Sequence, residues 1–156
     1  MPKRIAGLGA IFFGAILAML APQTSYAQTR GNPPAPEEGL WLAQQHDGVF
    51  QIGHCGDTLC GKLIGMQYDK DAPKDVWGRP QCGLMMLTDF KRTDDDKHWH
   101  GHILDPETGR TYDSRIWTSS PDILKLRGFI LGIPLLGETQ TWTRYHGTIG
   151  PNCKLP

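Results

Sequence analysis

Residues 97–118, KHWHGHILDPETGRTYDSRIWT, decide the fold class. The first part alternates: Trp99, Gly101 and Ile103 occupy odd positions, and His98, His100 and His102 even ones. A period of two sends these sets to opposite faces of a strand. Asp105-Pro106-Glu107-Thr108-Gly109 follows, with the Asp, Pro and Gly that tight connections use. A second strand-like run through Ile116 leaves that turn. Strand, turn and strand make a hairpin, and the remainder of the chain repeats this pattern.

From Gly39 onward, short apolar or alternating runs are broken by Gly, Pro, Asp and Asn. No run with a helical period is longer than about ten residues, so helices are expected to be scarce. Eight strands are predicted, at about 39–45, 48–54, 59–66, 83–90, 97–104, 110–118, 122–130 and 138–146. His46-Asp47-Gly48, Asp94-Asp95-Asp96 and Ser119-Ser120-Pro121-Asp122 supply further turns. The one long connection, 67–81, contains Pro73 and Pro80 and has room for a helical turn around 73–77. Eight short strands in hairpin order predict an all-β fold, a small eight-stranded antiparallel up-and-down barrel or a related sandwich. The domain is expected to span 39–146, with an irregular tail at 147–156.

The N-terminus reads as an address. Lys3 and Arg4 precede a charge-free run from Ile5 to Ala21, and Ser25-Tyr26-Ala27 offers small residues where a signal peptidase cuts. Residues 1–27 are therefore expected to be a cleavable signal peptide, and 28–38, QTRGNPPAPEE, a flexible leader. An uncleaved anchor is the rival. Gly7, Gly9, Gly14 and Pro22 argue against it, so no stable membrane span is expected after cleavage. Cleavage would remove Lys3 and Arg4 and no acid, leaving 14 of the 16 basic residues against 16 acidic ones. That balance excludes a nucleic-acid partner, whose phosphates demand a basic surface. Export would deliver the protein to the periplasm, where cysteines oxidise.

Gly39-Leu40-Trp41 opens the first predicted strand, and Trp142-Thr143-Arg144 lies on the last. In a closed barrel these strands are neighbours, so Arg144 can cover the Trp41 ring and seal one end. The arrangement resembles lipocalin-type barrels. A longer set of blocks extends the likeness: Cys55-Gly56, Leu59-Cys60-Gly61, Arg79-Pro80, Cys82-Gly83-Leu84, the 105–112 turn, Leu124-Lys125-Leu126-Arg127-Gly128 and residues 139–144. In this order and spacing they resemble the DUF2147 family over about 39–145. The resemblance implies a small exported lipocalin-like barrel and no particular reaction.

An even count of four cysteines in an exported chain favours two bridges, for which three pairings exist. Cys55 and Cys60 flank a predicted hairpin turn and can meet across the ladder. The other expected pair is Cys82 with Cys153. A redox pair prefers C-x-x-C at a helix start, and zinc needs reduced thiolates. His98, His100 and His102 form a row with neighbours about 7 Å apart on one strand face. A straight row suits a tetrahedral metal poorly, and Trp99 is the stronger inward anchor, so the histidines are expected to face water. His54 has no assigned partner. Asp69, Asp71 and Asp75 lack the order of a calcium loop, and no nucleophile or phosphate-binding motif is present. No cofactor is expected and no catalytic residue stands out, which leaves enzymatic activity a third reading behind the two given below.

Small barrels are filled by side chains or hold one small ligand. The leading expectation is a small apolar or amphipathic ligand, with Trp41, Phe50, Trp99, Ile116, Phe129 and Trp142 as inner walls and Arg127 and Arg144 as polar anchors. The alternative is an envelope interaction module with a solid core. Its protein partner would dock on the apolar rim at 130–136, which otherwise acts as a lid. An interior cavity above about 300 Å³ separates the two.

Overall fold

The computed structural model describes residues 34–92, 97–129 and 137–156. The expected signal peptide at 1–27, residues 28–33 of the leader, the Asp94-Asp95-Asp96 turn and the 130–136 rim lie outside the described residues. Eight strands run in chain order: β1 (Gly39–Leu42), β2 (Gly48–Cys55), β3 (Thr58–Met66), β4 (Met85–Arg92), β5 (Trp99–Leu104), β6 (Thr111–Ser120), β7 (Ile123–Gly128) and β8 (Thr139–Arg144). Each pairs antiparallel with the next, and β8 pairs back onto β1 to close an up-and-down barrel. The closing register sets Trp41 opposite Arg144. Among the described residues, helix is confined to one 3₁₀ turn, Pro151–Cys153, and no helix is long and apolar enough to cross a membrane.

The period of two explains the wall. In the β5–β6 hairpin, Trp99 faces Ile116, Gly101 faces Ser114 and Ile103 faces Tyr112 across the ladder. Trp99, Ile116 and Ser114 are buried, so this set points inward. His100 and His102 pair with Arg115 and Asp113 on the outer face. Gly101 is required by close approach: a Cβ there would lie 2.6 Å from both the Phe90 ring and the Thr88 carbonyl oxygen. Trp41, Leu59, Phe90, Trp99, Ile116 and Leu124 fill the barrel near the end where β1 begins.

Two connections differ from expectation. Residues 73–77 form no helical turn. Asp75 holds them in a tight turn instead, accepting hydrogen bonds from the Trp77 and Arg79 amides and from Arg79 Nε. Residues 34–38, expected to be the end of a flexible leader, pack onto the barrel. Their composition looks disordered, but Glu37 is only 2% exposed.

Both expected disulfides form, Cys55–Cys60 across the β2–β3 hairpin and Cys82–Cys153. The second ties the C-terminal segment to the loop before β4. Lys154 there bridges to Met66, the Leu155 amide donates to the Met66 carbonyl, and the Leu155 side chain is buried.

Candidate functional site

The two ends of the barrel differ in chemistry. At the end where β1 begins, the Arg144 guanidinium lies 3.8 Å from the centre of the Trp41 ring. It donates to the carbonyls of Pro36, Glu38 and Pro121. Gly39 is needed beneath it, because φ is +127° and any Cβ would collide with the guanidinium. The Glu37 carboxylate enters the same end, accepting hydrogen bonds from Trp99 Nε1 at 3.0 Å and from the Thr118 amide and hydroxyl at 3.2 and 3.1 Å. Trp41 Nε1 donates to the Glu37 carbonyl at 2.7 Å. Among the described residues, both buried indole N–H groups at this end thus find acceptors, and Arg144 and Glu37 plug it.

Among the described residues, the opposite end is not filled in this way. A cavity of about 770 Å³ enters the barrel there. Its floor is the stacked pair Phe50 and Trp142, with ring centres 4.5 Å apart. Leu63, Met66, Met86, Ile103 and Tyr112 form the apolar walls. Gln45, Asp47, Gln81, Asp105, Glu107 and Gln140 ring the mouth. Trp142 Nε1 is held by Gln140 Oε1 at 2.9 Å, which orients the floor. The volume falls within the range of small-molecule sites and exceeds the 300 Å³ that separated the two expectations.

Two carboxylates shape the mouth. Asp105 accepts from the Thr108 hydroxyl at 2.7 Å and from the Glu107 and Thr108 amides. The Thr108 hydroxyl foremost holds its carboxyl below the usual carboxylate range, against partial desolvation, with the two amides and the Arg110 charge adding to it. The buried Asp75 fastens the 67–81 loop. Burial alone would raise its pKa, but the hydrogen bonds from Arg79 and Trp77 outweigh that and hold it low. The loop reaches the β5–β6 turn through Val76 N–H to the Pro106 carbonyl at 2.8 Å, and Pro73 and Gln81 line the cavity.

Of the eight residues expected to meet a ligand, Phe50 and Trp142 line this cavity. Trp41, Trp99 and Ile116 are buried inside the barrel but belong to its filled half. Phe129, expected as an inner wall, is buried but does not line the cavity. Its amide bonds to the Asp113 carbonyl and its ring sits 5.2 Å from the Arg115 guanidinium. Arg127 pairs with outward-facing Arg115 and donates to Thr139, while Arg144 is committed to the plugged end. Neither arginine reaches the cavity, because strand parity sends one outward and register sends the other to the wrong end. His98 meets Trp117 edge-on, and His102 Nε2 lies 3.4 Å from Asp113. Among the described residues no group of three or more His, Cys, Asp or Glu is arranged to hold a metal. The walls at Leu63, Met66, Met86, Ile103 and Tyr112 were missed by sequence reasoning. Inward parity at the far ends of β3 to β6 was the signal that would have found them.

The geometry agrees with what the chain is similar to. A solved structure described as "Protein HP1028 from the human pathogen Helicobacter pylori belongs to the lipocalin family" matches with a TM-score of 0.61 and 18% identity, over 70% of this chain and 82% of that one. The likeness is one of fold. No curated protein matches the chain. A family model described as "Uncharacterized protein conserved in bacteria" matches residues 39–144, from the start of β1 to the end of β8. With its closed eight-stranded lipocalin-like barrel, the chain belongs to the DUF2147 family.

Proposed function

We propose that this protein is an exported binding protein that holds a small apolar or amphipathic molecule in the open half of its barrel. The observation that carries the reading is the cavity of about 770 Å³, apolar at its floor and polar at its mouth. An apolar tail would rest on Phe50 and Trp142, where burial contributes about 25 cal/mol per Å² of surface removed from water. The signal-peptide pattern at 1–27 and the two disulfides support a periplasmic setting, in which the signal peptide is removed.

Titration with a neutral amphiphile, decyl maltoside below its micelle concentration, tests the reading. Native mass spectrometry should count one bound molecule per chain, and tryptophan fluorescence should shift on binding. Trp142→Phe should lose most of that shift while the mass spectrum still shows the complex. Absence of any bound amphiphile in the mass spectrum would remove the reading.

A further inference from the structure

We infer that the molecule taken up by this cavity carries a cationic head group, an amine or quaternary ammonium, which is held at the mouth. The inference rests on the binding reading above and adds the charge of the ligand. The site is the cavity itself, which stands on its volume and apolar floor; the acids at its rim decide only which head group it accepts.

Three carboxylates line the mouth, those of Asp47, Asp105 and Glu107, and among the described residues no lysine or arginine joins them. Asp105 is committed to its turn and feels the nearby Arg110 charge, so it contributes least. Asp47 and Glu107 carry the selection. Both residues are exposed, on opposite walls of the mouth: Asp47 between β1 and β2, and Glu107 between β5 and β6. Neither makes a salt bridge to a described residue. The inner lining offers aromatic faces at Trp142, Phe50 and Tyr112 and thioethers at Met66 and Met86. Such surfaces accept an alkyl chain and tolerate a soft cation near their edge. The neutral amides of Gln45, Gln81 and Gln140 accept and donate without opposing this preference. An anionic head would meet two like charges and find no cationic side chain among the described lining residues, so a fatty acid is disfavoured.

Three decyl amphiphiles, each below its micelle concentration, separate the possibilities: decyltrimethylammonium, decyl sulfate and decyl maltoside. Exposed charge pairs are individually weak and additive, so the cation should bind about tenfold more tightly than the sulfate at low salt. Raising salt to about 0.5 M should shrink that ratio severalfold. In the double variant Asp47→Asn with Glu107→Gln, the ratio should fall to about one, with near-UV circular dichroism reporting the retained fold. Equal binding of cation and sulfate, or preference for sulfate, overturns the head-group inference while binding of the maltoside keeps the cavity reading. A preference that survives in the double variant overturns the assignment to Asp47 and Glu107. Failure of all three probes to bind removes both readings together.

Discussion

Replacing Glu37 tests whether a short acidic segment before the first strand is a structural part of the barrel. Its carboxylate is buried and satisfies Trp99 Nε1, the Thr118 amide and the Thr118 hydroxyl. In Glu37→Ala the Thr118 hydroxyl can rotate, but the indole and amide N–H groups cannot. Leaving two buried donors without acceptors costs about 1–3 kcal/mol each, so the variant should lose about 3–5 kcal/mol. That is a third or more of the stability of an ordinary domain, and for this size it corresponds to a melting point lower by about 10–20 °C. Glu37→Gln keeps one acceptor oxygen. Its amide nitrogen must face either Trp99 or Thr118, so it should lose about 1–3 kcal/mol, less than alanine. Urea unfolding of both variants, followed by near-UV circular dichroism and tryptophan fluorescence, gives the order. If alanine unfolds within about 0.5 kcal/mol of the wild type, or glutamine costs more than alanine, the buried-acceptor reasoning is refuted.

Replacing Cys82 and Cys153 together by serine opens a crosslink of sequence separation 71, and loop entropy predicts a loss of about 4 kcal/mol. The Cys55/Cys60 pair, with separation 5, should cost about half as much, so equal urea midpoints for the two double variants would contradict the entropic account. Asp75 has a folded-state pKa depressed below its unfolded value, so its stabilisation is present above the ordinary carboxylate range and is lost as pH falls through the folded pKa. Amide exchange at Trp77 and Arg79 should therefore quicken below about pH 4, relative to amides in the barrel core, and Asp75→Asn should show rapid exchange already at neutral pH. Gly101→Ala forces a Cβ against the Phe90 ring and the Thr88 carbonyl and should cost about 1–3 kcal/mol by urea unfolding; an unchanged midpoint would mean that β4 yields freely.

Much of the architecture was legible because it rests on local rules. Alternation at 97–104 and the Asp-Pro-Glu-Thr-Gly turn specify a hairpin whichever strands it later meets. The pairing of Trp41 with Arg144 was accessible because closing an up-and-down barrel makes its first and last strands neighbours. Glu37 was hidden for the opposite reason. A proline-rich acidic stretch has the composition of a disordered leader, and only the donors arriving from Trp99 and Thr118, 62 and 81 residues away, make its burial favourable.

The candidate site was legible in type more than in position. Trp41, Phe50, Trp99 and Trp142 were read as interior and are buried, but of the eight named residues only Phe50 and Trp142 line the cavity. Hydrophobicity says that a side chain avoids water; it does not say whether a neighbouring side chain or a void lies beside it.

By itself, then, the sequence determined the all-β class of fold and the inward parity of most strands, and it favoured hairpin order and the two cysteine pairs without fixing them. These follow from local periodicity, turn chemistry and closure, which involve near neighbours or a single topological rule. The tertiary structure decided which end of the barrel is plugged and which is hollow. That choice depends on how far each inward side chain reaches along the axis and on whether a distant residue such as Glu37 or Arg144 arrives to cap it. Packing density is a sum over contacts between remote parts of the chain, so the cavity exists only once all eight strands have met.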